Sequence, residues 1–193
     1  MNANSSTNLF EGKLVRLTAG DPGTLAEAFS RWARNSTYAR LLDSDPSRLW
    51  SQKKTKEWFE KDLEKEATEP GFCIRTVADD KLIGFVSAWG LNWQHGDTFL
   101  GIGIGEEDFW GKGYGTEALR LFLGYVFREM NLRRVSLNVF GYNPRAIRSY
   151  EKCGFKIEGR LREAILKEGK RWDVVFMGIL REEWEQLRST GTF

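Results

Sequence analysis

Residues Trp110-Gly111-Lys112-Gly113-Tyr114-Gly115 place a glycine at every second position, immediately before a run with helical apolar spacing. Ahead of them Gly101, Gly103 and Gly105 alternate with Ile102 and Ile104, the period of a strand with one bare face. Residues 98–131 therefore read as strand, glycine turn, helix. Such a turn aims free backbone N–H groups and the positive end of a helix dipole at one spot, which suits a phosphate or pyrophosphate. Three glycines on one strand face imply that a ligand or a second backbone lies against it. Two nucleotide loops do not fit: no Gly-Lys-Ser/Thr closes a Walker A loop, and the Gly-x-Gly-x-x-Gly dinucleotide fingerprint is spaced differently.

A second stretch carries chemistry: Asn143-Pro144-Arg145-Ala146-Ile147-Arg148-Ser149-Tyr150-Glu151-Lys152-Cys153-Gly154-Phe155. Together the two stretches resemble the GNAT N-acetyltransferases. The turn matches that family's [Gln/Arg]-x-x-Gly-x-[Gly/Ala] acetyl-CoA loop at Gly113 and Gly115, with Trp110 standing where most members have Gln or Arg. The later stretch matches Asn-x-x-Ala-Ile-x-x-Tyr-x-x-x-Gly-Phe. The wording Trp-Gly-Lys-Gly-Tyr-Gly-Thr-Glu-Ala is similar to the branch holding ribosomal-protein N-terminal and spermidine acetyltransferases. The likeness is close over the second half of the chain and holds in outline over the first.

The resemblance implies an α/β (α+β) fold: a central mixed, mostly antiparallel twisted sheet of six to seven strands, flanked by about four helices and splayed at the glycine-rich strand. It implies acetyl-CoA as co-substrate, held by Gly103, Ile104, Gly105, Gly111, Lys112, Gly113, Tyr114, Gly115, Thr116 and Asn143. The backbone of Gly103 to Gly105 would meet the pantetheine arm and offer an amide to the acetyl carbonyl. Tyr150 would lie near the thioester sulfur as general acid. A phenol with a pKa of about 10 stays protonated at neutral pH and can donate as a thiolate departs. The acceptor would be a polyamine, an amino sugar or a protein amino terminus, attacking directly.

The base is less defined. Many members carry a Glu on the strand before the loop or on the following strand, where this chain has Phe99 and Asn138, neither of which takes a proton. Glu106, Glu163 and Asp173 remain as carboxylates, beside a water chain or an amine that arrives neutral; positioning alone can supply much of the rate. The missing Glu keeps open an alternative, a non-catalytic acyl-CoA-binding or sensing module of the same fold.

These residues need elements to hold them. Leu14 to Leu17 reads as a first strand, and Asp21-Pro22 opens a helix carrying Leu25, Ala28, Phe29 and Trp32. Asn35 to Ser51 reads as a loose region and about Gln52 to Glu66 as a charged helix. In the resembling branch these helices floor the acceptor pocket, making Arg31, Tyr38, Arg40 and Asp43 candidate substrate contacts. Phe72 to Ala78 and Lys81 to Trp89 read as a hairpin around Asp79-Asp80, followed by a loop from Gly90 to Asp97. Trp89 and Trp93 read as caps of the sheet, with a role in gripping substrate as the alternative, and His95 as an exposed loop residue, with a general base as the alternative. Arg133 to Phe140 is a strand, Asn143-Pro144 caps a helix that ends before Gly154, and two strands flank Glu168-Gly169-Lys170. A short polar helix or tail closes the chain.

At 193 residues this is expected to be one domain, with residues 1–10 flexible. A net charge of +2 gives no push toward nucleic acid, and no long apolar run points to a membrane. A cytoplasmic enzyme is expected, with a homodimer left open because members are often dimers. One histidine and two separated cysteines, Cys73 and Cys153, make a metal site unexpected. Arg128, Arg133, Arg145, Arg148 and Lys152 form a basic set within reach of the cofactor's phosphates or simply solvated.

Overall fold

The computed structural model describes residues 8–63 and 69–191. The strands are β1 (Val15–Thr18), β2 (Gly71–Thr76), β3 (Leu82–Asn92), β4 (Asp97–Ile104), β5 (Arg134–Phe140), β6 (Lys156–Lys167) and β7 (Lys170–Leu180). The helices are α1 (Pro22–Trp32), α2 (Ser36–Leu42), α3 (Gln52–Leu63), α4 (Tyr114–Arg128), α5 (Pro144–Glu151) and α6 (Arg181–Ser189). One seven-stranded sheet runs β1-β2-β3-β4-β5-β7-β6, antiparallel throughout except between β4 and β5.

This is the expected mixed, mostly antiparallel sheet, with six helices among the described residues instead of about four. The helix not foreseen is α2, inside the stretch read as loose. It starts because the Asn35 side chain accepts hydrogen bonds from the amides of Thr37 and Tyr38, and Tyr38 buries its ring. The polar tail also folds, as α6, burying Trp184 against Phe127. The expected flexibility of the first ten residues falls largely on residues 1–7, outside the described residues. Phe10 is described, and its ring packs on Phe72 and Tyr125. Residues 64–66, expected to complete α3, also lie outside them.

Alternation along β2 and β3 divides the core between the two sheet faces. Ile74 and Ile83 turn toward α4, which buries Ala118, Leu119, Phe122, Leu123, Val126 and Phe127 at helical spacing. Cys73 and Leu82 turn the other way, onto Leu25, Ala28, Trp32, Tyr38 and Phe59 of α1, α2 and α3. One contact without a sequence signature ties the chain's start to α4. The Glu117 carboxylate accepts hydrogen bonds from the amides of Lys13, Leu14 and Val15 at 3.0, 2.7 and 2.8 Å.

Candidate active site

β4 and β5 pair only from Asp97–Phe99 to Arg134–Ser136 and then part, leaving an opening in the middle of the sheet. Which backbone groups face it follows from the hydrogen bonds on either side. Gly105 donates to Ile83 of β3 at 2.8 Å, while Gly96 accepts from Arg134 at the start of β5 at 3.2 Å. Strand alternation then turns Gly101, Gly103 and Gly105 toward β3, and Leu100, Ile102 and Ile104 toward the opening. This corrects the expectation for Gly103 and Gly105, whose amides are committed to the sheet. Ile102 and Ile104 present the free edge, and the Ile104 carbonyl already accepts the Trp110 indole N–H at 2.7 Å.

The bare glycine face needs a similar correction. A Cβ on Gly105 would sit 2.0 Å from the Trp32 ring, and one on Gly103 would sit 2.7 Å from Phe85 and 3.1 Å from the Tyr38 hydroxyl. These two glycines make room for aromatic side chains of the protein itself. Only at Gly101 would a Cβ be accommodated, in ordinary contact with Ser87 Oγ at 3.8 Å and Trp89 Nε1 at 3.9 Å.

The glycine turn behaves as its spacing predicts. Gly111 and Gly113 adopt φ of +73° and +94°, a region that side-chain-bearing residues enter only at a cost, and Gly113 is the N-cap of α4. The first amides of that fifteen-residue helix thus point at the end of the opening. Gly111, Gly113, Gly115 and Thr116 line the cavity, whereas Lys112 is exposed and Tyr114 sets its ring edge-on against Phe109. The Arg145 guanidinium lies 3.8 Å from the Trp110 ring centroid, so α5 returns a cation to the position where the usual Gln or Arg is missing. Burial, opposed by Glu107, lowers the Arg145 pKa from its ordinary value.

α5 brings the rest. The Asn143 side chain caps it by accepting from the Ala146 amide at 3.1 Å, and Asn143 is buried along the cavity wall. Thr116 and Ser149 hydroxyls, 2.8 Å apart, join α4 to α5. Tyr150 is 8% exposed and lines the same cavity, and burial, with a smaller contribution from Cys153, raises its phenol above the ordinary value. The whole cavity is about 700 Å³.

None of the carboxylates considered as base reaches it. Glu106 is held by Arg31 at 2.6 Å, the Trp32 indole at 2.8 Å and Lys81 at 3.3 Å. Burial works to raise its pKa, and these three donors together hold it below the usual range. Glu163 and Asp173 pair across the β6–β7 hairpin, where Asp173 accepts the Glu163 amide at 3.0 Å. Asn138 lines the cavity, and Phe99 stacks on Trp89. Of the basic set Arg145, Arg148 and Lys152 line the cavity, while Arg128 lies over Trp184 and Arg133 sits against Gly96. Among the four acceptor-side candidates Tyr38 and Asp43 line it; Arg31 and Arg40 are committed to Glu106 and Glu168. Among the described residues no group of three or more His, Cys, Asp or Glu is placed to hold a metal, and no helix is long and apolar enough to cross a membrane.

A parted β4–β5 pair, a positive-φ glycine turn at a helix N-terminus and a tyrosine at the parting coincide with one family description. The family model for the acetyltransferase (GNAT) domain matches residues 13–156. The chain belongs to the GNAT family. Among its relatives, the SPbeta prophage-derived uncharacterized N-acetyltransferase YokL of Bacillus subtilis is 30% identical over 67% of this chain and 71% of its own length. The spermidine N(1)-acetyltransferase of Vibrio cholerae is 36% identical over 55% of this chain, which spans 61% of that protein. A crystal structure of Vibrio cholerae spermidine N-acetyltransferase with CoA and spermine superposes with a TM-score of 0.78, at 27% identity, covering 89% of this chain and 98% of that one. The GNAT chain described here is thus an acetyl-CoA-dependent N-acetyltransferase. The opening fits that co-substrate: amides without a strand partner along Ile102 and Ile104, and a cradle at Gly111 and Gly113 for phosphate.

Sequence reasoning missed Ile102 and Phe85 as cavity residues and set the role of Trp89 in gripping substrate second to that of a cap. Trp89 had a usable clue, since it lies opposite Phe99 once β3 is extended past Gly90.

Proposed function

We propose that this acetyltransferase moves the acetyl group directly onto a primary amine, with Tyr150 protonating the leaving thiolate. Acetyl-CoA supplies an acyl group activated by its thioester. The observation that carries the reading is the burial of Tyr150 in the wall of the cavity where β4 and β5 part, with its phenol shifted further toward the protonated form. A phenol kept neutral is a donor throughout the physiological range. Ile102 and Ile104 hold the pantetheine arm through their backbone, and the turn amides of Gly111 to Gly115 hold the pyrophosphate with Arg145 beside them. Asn143 and Thr116 serve by fixing the ends of α5 and α4 along the same wall.

Among the described residues Asp43 is the single carboxylate lining the cavity. The amine enters the cavity neutral, or gives up its proton there to Asp43 or to water. The acceptor is a small amine or a peptide amino terminus. A homodimer and a cytoplasmic site of action go with this reading, and sedimentation of the purified chain tests the first.

The deciding experiment measures free CoA thiol released from acetyl-CoA with amines of different classes, in wild type and Tyr150→Phe. A drop in kcat of about 10²-fold or more with acetyl-CoA affinity kept supports Tyr150 as the acid. Undiminished turnover removes it. Tight acetyl-CoA binding with no thiol release for any amine favours the binding or sensing module instead.

A further inference from the structure

The acceptor side of the cavity differs in composition from the cofactor side. Its walls are Tyr38, Phe85, Trp89 and Leu42, with Ser87 between them, and Asp43 is the single carboxylate lining the cavity among the described residues. The cations of the cavity, Arg145, Arg148 and Lys152, all stand on α5 or just past its end, where cofactor phosphates match them. Behind Asp43, Lys167 Nζ donates to the carbonyls of Ser44 and Asp45 at 3.1 and 3.3 Å, adding positive charge to that rim.

The aromatic wall is a rigid plate. Trp89 stacks on Phe99 with centroids 4.6 Å apart and planes at 26°, and it remains 42% exposed toward the opening. Beside it, Gly101 lines the cavity and is the one position of this glycine face where a Cβ would meet only ordinary contacts, at 3.8 Å and beyond. A slot floored by backbone and walled by indole and phenyl rings takes an apolar body, and an aromatic face also tolerates one cation. It does not take several. After Asp43 has matched one ammonium, each further ammonium of a polyamine would lose water against apolar rings with no second lining carboxylate among the described residues.

From this we infer that the acceptor is a monoamine with an aromatic or branched apolar body, lying on Trp89 over Gly101 with its ammonium drawn in by Asp43. Polyamines are poor substrates. The inference rests on the amine-transfer reading above and sharpens it, and it separates this chain from the relatives named for spermidine.

Initial rates of thiol release from acetyl-CoA are measured for the full chain with phenethylamine, with a short peptide bearing an amino-terminal Phe, and with spermidine and spermine. The expected result is a kcat/KM for one of the two aromatic amines at least tenfold above either polyamine; whichever leads tells a small molecule from a peptide. Gly101→Ala, whose methyl group fits the protein at 3.8 Å or more, raises the KM of that amine at least tenfold and leaves the KM of acetyl-CoA within twofold. Equal or better turnover of spermidine overturns the inference, as does an amine KM unmoved by Gly101→Ala. If no amine is acetylated, direct transfer fails on its own account, and titration of phenethylamine and spermidine into the CoA-saturated protein decides the acceptor class. Tighter phenethylamine binding, weakened by Gly101→Ala, upholds it; tighter spermidine binding, or none by either, overturns it.

Discussion

On the turn side of the opening the chain works with its backbone: Gly111 and Gly113 at positive φ, the first amides of α4, and the unpaired edge of β4 at Ile102 and Ile104. On the other side it works with side chains, the rings of Tyr38, Phe85 and Trp89, gathered from α2 and β3. On the proposed reading, the phosphate-bearing co-substrate is met by the part of the chain every protein has, conformed by glycine. On the same reading, the acceptor is met by side chains. Substitutions on the two sides should therefore fail differently, in affinity for the co-substrate on one and in packing or amine KM on the other.

The largest effect expected is at Gly113. A valine there must take φ near +94° at the N-cap of α4, against the strong preference of a β-branched residue, so the turn reorganises and its amides no longer converge. We expect acetyl-CoA affinity by calorimetry to fall about 100-fold or more, a magnitude in keeping with removal of several oriented donors. Gly115→Ala, whose methyl would meet Ile104 at an ordinary 3.5 Å, should leave the fold intact and test how closely the ligand approaches. A Gly113→Val protein that binds as wild type would break the comparison at its root.

Gly105→Ala should do the opposite. Its methyl would overlap Trp32 at 2.0 Å, and Trp32 cannot yield without releasing Glu106. A loss of about 3 kcal/mol in urea unfolding is expected, with acetyl-CoA affinity per folded molecule little changed. A stable Gly105→Ala protein that has lost acetyl-CoA affinity would restore the glycine face to the ligand.

That pair of glycines shows where sequence reading succeeds and where it ends. Gly111 and Gly113 announce themselves because positive φ is a local demand that only a few residue types meet. Strand β5, with Val135, Leu137 and Val139 buried, and helix α5, with its Asn143 cap, are equally local and equally legible. Gly105 is glycine because of Trp32, a residue far along the chain, and spacing alone cannot tell an indole from a ligand. The same holds for α2: seven residues are too few for periodicity, and its stability comes from one cap and one buried ring. Trp89 was undervalued because β3 runs on to Asn92 where a loop was expected after Gly90.

Glu106 links the two sides, standing just after β4 and reaching back to α1. Its pKa is lowered in the folded protein, so the folded state binds fewer protons than the unfolded chain around and below the usual carboxyl range. Stability from this group is fully present above the unfolded value of about 4.3 and is lost as pH falls through the folded one. Glu106→Gln should cost about 2 kcal/mol near pH 6, the worth of hydrogen bonds to a charged group, and the gap to wild type should narrow toward pH 3. A gap that is constant with pH would mean that the ion pairs to Arg31 and Lys81 contribute nothing through charge.

The smallest effect is the most discriminating for the acceptor side. The Tyr38 hydroxyl is buried and has no hydrogen-bond partner among the described residues, and its ring sits edge-on to Trp32 beside Gly103. If this wall acts through shape alone, the hydroxyl is a cost to the fold that the ring must carry. Tyr38→Phe should then raise the urea midpoint by the equivalent of about 1 kcal/mol, the desolvation penalty of one unpaired polar group, and change the amine KM less than twofold. A tenfold rise in amine KM with acetyl-CoA affinity kept would show that the hydroxyl meets the acceptor once it is bound. The wall would then bind by hydrogen bonding as well as by its rings, and the contrast between a backbone side and an apolar side would narrow to a contrast between fixed and adaptable donors.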